Sequence, residues 1–174
     1  MAFISVYFGL GSNVGDRLRN IGTAVRMLDE ALGSPHTALS RIMETEAWGF
    51  EGADFLNACI RYRIHRKGTP EEHGHELLRI CKGIEAALGR QEAVVFDGEG
   101  RRVYQNRTMD IDILFYGKER IVSDDLVVPH PLIARRPFVM VPLLEVVRPD
   151  LKAVFPEIFV QERAGNADAT ECNG

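Results

Sequence analysis

No apolar run in this 174-residue chain approaches the ~20 residues a membrane-spanning helix requires. Cysteine is scarce. Cys59, Cys81 and Cys172 are odd in number and stand at no metal-ligand spacing. Neither a disulfide framework nor a zinc site is expected, and reduced thiols in a cytoplasmic protein are the simplest account. The first residues, MAFISVYFGLGSN, lack a basic n-region and a small-residue cleavage site, so they do not read as a signal peptide. Positive charge is not in excess. With 21 Lys and Arg against 25 Asp and Glu, the net charge is −4, which argues against general nucleic-acid binding but leaves room for a local anion site. There is no repeat, low-complexity tract or linker. The remaining composition, 45% hydrophobic and 26% charged, suits one globular domain with a single core. That domain is expected over residues 1–160, followed by a polar tail at 161–174.

The hydrophobic periods give the elements. Residues 3–10, FISVYFGL, read as a buried strand. The turn Gly11-Ser12-Asn13-Val14-Gly15-Asp16-Arg17 leads into a helix, with Asn13 or Asp16 as its cap. Leu18, Ile21, Val25, Leu28 and Leu32 form its apolar stripe, and Gly33 with Pro35 stops it. Residues 37–46 are a weaker strand. Residues 55–65 alternate: Leu56, Ala58, Ile60, Tyr62 and Ile64 face one way, and Phe55, Asn57, Cys59, Arg61 and Arg63 the other. Thr69-Pro70-Glu71-Glu72 is a capping box that opens a second helix with an apolar stripe through Leu77, Ile80, Cys81, Ile84 and Leu88. Residues 91–106 are polar, without a clear period, and long for a loop in a compact domain. A strand follows, then a short extended stretch at 126–131 and a helix at 134–147 interrupted by Pro137 and Pro142. The fold class is therefore α+β. The order β-α-β-β-α-β matches a ferredoxin-like core, an α/β sandwich with a largely antiparallel sheet, helices on one face and a C-terminal extension.

The strand RTMDIDILFYG, residues 107–117, carries two aspartates in an otherwise buried run. Period two puts Asp110 and Asp112 on the same face, about 6–7 Å apart, while Met109, Ile111 and Ile113 point into the core. Such close carboxylates repel each other and resist burial. A divalent cation resolves the conflict, and Mg²⁺ suits carboxylate oxygens shared with water or phosphate. Alone, an Asp-x-Asp pair is more often an acidic solvent-facing strand edge. The surroundings favour the metal. Arg90, Arg101, Arg102, Arg107, His130 and Arg136 cluster around the strand in sequence, a set suited to a metal-bound polyphosphate. By contrast, GLGSNVGDR lacks the Lys-Ser/Thr of a P-loop and fails the G-x-G-x-x-G spacing, so it reads as a strand-to-helix turn. Phe55 with Asn57, the stretch ETEAWGF at 44–50, and Phe138 near Arg136 supply aromatic faces and polar edges for a flat heterocycle.

Taken in order, GLGSNVGDR, ETEAWGF, DFLNACI, IEAALGR, RTMDIDILFYG and VPHPLIARRPF resemble the 6-hydroxymethyl-7,8-dihydropterin pyrophosphokinase family over residues 5–145. The resemblance implies Mg²⁺-dependent transfer of pyrophosphate from ATP to the pterin hydroxymethyl group, in folate biosynthesis. It implies two Mg²⁺ on Asp110 and Asp112, with Arg90 and Arg107 stabilising phosphate charge. Thr45, Asn57 and the backbone near Glu46 and Trp48 would read the pterin edge, and Phe55 and Phe138 would sandwich its ring. Glu85, Arg102, Tyr104, Arg107, Ile113, His130 and Arg136 would contact ATP. A cytoplasmic monomer with small-molecule substrates is expected, with no nucleic-acid or membrane partner. Departures from the family pattern lie at Tyr104-Gln105-Asn106, where Trp-Gly-Pro is usual, at Gln91-Glu92-Ala93, where basic residues are usual, and at Asp125 and Leu132, where arginines occur.

Three rival readings share these features. A non-catalytic sensor on the same scaffold would need no metal-phosphate clamp. An RNA-binding module would need exposed aromatics on a basic sheet face, whereas this face carries two aspartates. An enzyme of the same family with a shifted acceptor is the third, given the altered loop.

Overall fold

The computed structural model describes residues 2–89, 95–103 and 106–160. The expected tail at 161–174 lies outside the described residues. The elements in order are β1 (Phe3–Ser12), α1 (Arg17–Leu32), β2 (Ala38–Leu39), β3 (Met43–Thr45), β4 (Phe55–His65), α2 (Pro70–Ala87), β5 (Val95–Phe96), β6 (Arg102–Val103), β7 (Asp110–Tyr116), β8 (Ile121–Val122) and β9 (Val127–Val128). A 3₁₀ turn at Ile133–Arg135 then leads to α3 (Pro137–Val146), α4 (Pro149–Val154) and α5 (Pro156–Phe159). The protein is α+β, and its main sheet is antiparallel throughout. The sheet runs β2–β4–β1–β7, with β3 also pairing to β4.

The two long helices start where the sequence indicates. Asp16, rather than Asn13, caps α1 by accepting the Arg19 N–H at 3.0 Å. Gly33 ends that helix in the left-handed region at φ 60°, where a side chain would be strained. Leu18, expected in the apolar stripe, is 61% exposed and lies outside the core. In α2 the capping box forms in both directions. Thr69 accepts the Glu72 N–H at 3.2 Å, and Glu72 accepts the Thr69 N–H at 2.9 Å.

Period two divides the core. Val6, Phe8 and Leu10 of β1, Ala58, Ile60, Tyr62 and Ile64 of β4, and Met109, Ile111 and Ile113 pack against α1 and α2. Tyr7, Cys59, Leu114 and Phe115 form a second cluster with Leu143, Val146, Leu151, Phe155 and Phe159 from α3, α4 and α5. Helices therefore cover both faces, not one as the element order suggested. The long amphipathic pair takes one face, and the C-terminal helices take part of the other. Pro137 stands at the first position of α3, where its missing N–H costs nothing, and Pro142 lies inside the helix without ending it.

A bulge in β7 makes this division possible. Tyr7 pairs with Phe115 while Phe8 pairs with Ile113, so Leu114 is the extra residue. Leu114 and Phe115 consequently both enter the second cluster, and Tyr116 returns to the first. Within the loop expected at 91–106, residues 95–103 form the β5–β6 hairpin.

The capping box lies at the opposite end of α2 from Lys82 and Glu85, two residues of the site described below. Thr69→Ala should therefore lower unfolding free energy by about 1 kcal/mol in urea titrations. Ligand affinity should be unchanged.

Candidate active site

Two rows across the sheet build the floor of the site. Asp112 pairs with Gly9, which pairs with Cys59, and Asp110 pairs with Gly11, which pairs with Asn57. The glycines leave space where side chains would fill the open face. A Cβ on Gly11 would lie 3.2 Å from Asn57 Oδ1 and 3.5 Å from the Phe55 ring. Above this floor is a cavity of ≈ 310 Å³. It is lined by Thr45, Glu46, Trp48, Phe55, Asn57 and Phe138 on one side and by Glu85, Arg107, Asp110, Asp112, His130 and Arg136 on the other. The cavity thus gathers twelve of the residues singled out from the sequence, drawn from β3, β4, α2, β7, α3 and the loops between the elements.

Each residue is held by local chemistry. Asn57 Nδ2 donates to Thr45 Oγ1 at 2.6 Å, which fixes the amide across the β3–β4 pair. Arg136 precedes Pro137, a position that disfavours helical backbone. Its extended conformation (φ −116°, ψ 94°) ends the 3₁₀ turn. The Arg136 guanidinium carbon lies 5.2 Å from the Trp48 ring centroid and 5.8 Å from that of Phe138. Its Nε is buried without a hydrogen-bond partner. The Trp48 and Phe138 rings themselves are 6.2 Å apart and tilted by 55°. Phe55 packs edge-on against Phe50 at 6.3 Å. The His130 N–H donates to the carbonyl of Leu114, the bulged residue, at 3.0 Å.

The electrostatics centre on the aspartates. Arg107 Nη1 lies 3.0 Å from Asp110 Oδ1, and Arg136 Nη1 lies 3.9 Å from Asp112 Oδ2. The Asp112 carboxyl is pushed up to about 7, first by burial and then by the Asp110 carboxylate. Arg136 and Arg107 oppose the rise and Glu85 adds to it. His130 is pushed down to about 4, chiefly by burial and by Arg136, so its imidazole is neutral at pH 7. Its Nδ1 accepts the Leu132 N–H at 3.2 Å, which leaves the ring proton on Nε2 as a donor. Glu85 is 4% exposed and its Oε1 accepts the Ile111 N–H at 2.8 Å, between the two aspartates.

Other expectations fall elsewhere. Ile113 points to the opposite face, buried in the helix-side core, because strand parity separates it from Asp112. Its side chain does not line the cavity. Arg90 and Tyr104 lie outside the described residues, and Arg102 is described only as part of β6. Arg101 is turned to Asp97 and Glu99 of its own hairpin. Asp125 pairs with His75 at 2.8 Å. Lys82 and Leu78 also line the cavity, from one face of α2. The only sequence signal for Lys82 is its i, i+3 spacing from Glu85.

Among the described residues no cluster of three or more His, Cys, Asp or Glu forms a closed metal cage. Two carboxylates on one face, with Asp112 protonated more readily than an ordinary aspartate, fit Mg²⁺, which draws most of its ligands from water and phosphate. No helix among the described residues is long and apolar enough to cross a membrane.

The family profile described as 7,8-dihydro-6-hydroxymethylpterin-pyrophosphokinase matches residues 7–148. The chain belongs to this family. Among its relatives, a folate synthesis bifunctional protein of Arabidopsis thaliana is 42% identical over 144 residues, which are 82% of this chain and 27% of that protein. The chain thus spans about a quarter of that relative's length. A 2-amino-4-hydroxy-6-hydroxymethyldihydropteridine pyrophosphokinase of Porphyromonas gingivalis is 40% identical over 143 residues, 81% of this chain and 89% of the relative. One of the same description from Aquifex aeolicus is 39% identical over 143 residues, 82% of this chain and 79% of the relative.

The raised Asp112 carboxyl gives a signed pH effect. Between the ordinary value of 3.8 and about 7, the native protein keeps a proton that the unfolded chain has released. Metal-free stability therefore falls as pH rises through that window. His130, pushed down to about 4 from 6.5, contributes the opposite slope below 6.5. Comparison with Asp112→Asn removes the His130 contribution. In EDTA the variant should be as stable as wild type at pH 4 and more stable at pH 8, by urea unfolding. Parallel pH profiles for the two proteins would contradict this.

Proposed function

We propose that this protein transfers the terminal diphosphate of ATP to 6-hydroxymethyl-7,8-dihydropterin, releasing AMP, as a step of folate synthesis. One observation carries the reading: a single cavity holds two same-face carboxylates, two arginines and an aromatic wall with a fixed amide. Family membership and the names of the relatives agree with it. The sheet order, with β1 between β4 and β7 and the β2/β3 pair outermost, supports a ferredoxin-like core within one domain of residues 1–160.

In this reading the pterin hydroxymethyl oxygen attacks the β-phosphorus of ATP. The new O–Pβ bond forms, the hydroxyl proton leaves, and the bridge from Pβ to the α-phosphate oxygen breaks to give AMP. Asp110 and Asp112 would hold two Mg²⁺, and the chemistry these would supply is to offset phosphate charge and orient the reacting oxygens. Arg107 and Arg136 already face the aspartates and turn to phosphate oxygens, neutralising charge as it develops. Arg90 is proposed to add to that neutralisation, and Arg102 and Tyr104 to contact ATP. His130 donates from Nε2 to a phosphate oxygen without adding net charge. Glu85 and the main chain at Ile113 border the nucleotide. Thr45 and Asn57, with the backbone at Glu46 and Trp48, read the pterin edge. Phe55 and Phe138 bracket its ring, with Trp48 beside Phe138. No general base is assigned, and Asp110 is the nearest candidate. Positioning and electrostatics dominate phosphoryl transfer.

Purified protein should release AMP from ATP only when both the pterin and Mg²⁺ are present. EDTA or Asp112→Ala should abolish that release. Binding of the pterin without Mg²⁺ and without turnover would favour the sensor. Arg107→Ala should lower kcat more than it raises KM for ATP, since its charge matters most in the transition state. A raised KM at unchanged kcat would reduce Arg107 to a ground-state binding contact.

A further inference from the structure

Gly9 and Gly11 floor the site, but Asn13, just past the end of β1, has no part in the reading above. Yet Asn13 is only 3% exposed, and its polar atoms reach two other segments of the chain. Its main-chain N–H donates to the Arg107 carbonyl at 3.0 Å, and its Oδ1 accepts the Arg107 N–H at 2.6 Å. Its Nδ2 donates to the Ala53 carbonyl at 3.0 Å and to Asn106 Oδ1 at 2.8 Å.

The β1–β7 ladder stops at Gly11 opposite Asp110. Beyond that point side chains continue it. Ser12 Oγ donates to the Thr108 carbonyl at 2.6 Å, and Asn20 Nδ2 joins the same carbonyl at 3.2 Å. Asn13 then holds Arg107 by both backbone groups, one residue further out. Its amide nitrogen meanwhile holds the loop from 46 to 54, which carries Trp48 and Phe50 into the cavity. That loop presses on the same junction. A Cβ on Gly52 would lie 2.6 Å from Asn106 Oδ1 and 2.5 Å from the Phe50 ring.

We infer that Asn13 is a positioning residue that joins the two halves of the site. It fixes the backbone from which Arg107 reaches the phosphates, and it ties down the loop that presents aromatic rings to the pterin. The inference rests on the proposed phosphate role of Arg107. Only asparagine meets the geometry: the short side chain must accept one N–H and donate to two oxygens. Aspartate keeps the acceptor and loses the donor. Alanine loses both.

The test separates the two functions by steady-state kinetics on folded variants, with wild-type AMP release as the control. Asn13→Ala should lower kcat by roughly 10- to 100-fold, the scale of a displaced catalytic group. It should also raise KM for the pterin. In an Arg107→Ala background the same change should alter kcat by no more than about twofold, because both act through one side chain. Asn13→Asp should raise the pterin KM while keeping most of kcat. Losses in kcat that multiply in the double variant would overturn the proposal, as would Asn13→Asp losing kcat as far as Asn13→Ala. Should Asn13→Ala not fold, Asn13→Asp decides alone: a fall in kcat of roughly 10-fold or more with no change in pterin KM sinks the idea. Absence of AMP release by wild type would instead refute the proposed reaction. The loop tie would then still be read from Trp48, the single tryptophan. Its emission should shift in Asn13→Asp, and an unchanged spectrum would count against the tie.

Discussion

Repulsion between two carboxylates on one face of one strand is the constraint around which the site is built. Asp110 and Asp112 share a face because a strand has period two, and Glu85 stands just beyond the strand edge. Unrelieved, three such groups would hold one another protonated or force the strand apart. The protein instead meets the repulsion with Arg107 and Arg136, each set beside one aspartate. Glycines at positions 9 and 11 keep the space over the carboxylates open for ligands that carry the balancing charge. The C-terminal helices cover only the part of that face where the strand has become apolar.

Much of this frame is written locally in the sequence. The alternation of residues 55–65 predicts both faces of β4, and the capping box predicts where α2 begins, because each signal involves only near neighbours. The second face was not legible. Its cover comes from three short helices after residue 136, whose Pro-broken pattern carries no clear stripe. Tertiary contact decides their placement. Nor was the β7 bulge legible, since DIDILFY reads as unbroken strand and the extra residue appears only in the pairing.

The site divides in the same way. Residues attached to strong periodic elements, such as Asn57 and the aspartates, fall where expected. Ile113 does not line the cavity, because the period that brings Asp112 to one face turns its neighbour away. The ring contacts within the site carry no sequence signal. Phe55 meets Phe50, and Phe138 meets Trp48 with Arg136 alongside, an arrangement set by loop paths that no local signal encodes. Lys82 is exposed on a helix, where one lysine looks like any other until the cavity beside it is seen.

The bulge at Leu114 divides β7 into two regions with different tolerance to change. Before it, the outward face serves ligands; after it, the same face serves the C-terminal core. Were Leu114 drawn into a regular ladder, Phe115 and Tyr116 would exchange faces, and deleting Leu114 would remove the carbonyl that anchors His130. The β5–β6 hairpin, by contrast, can vary in length without shifting any strand of the main sheet. Natural insertions and engineered grafts should therefore accumulate in the hairpin and be absent from the seven residues of β7.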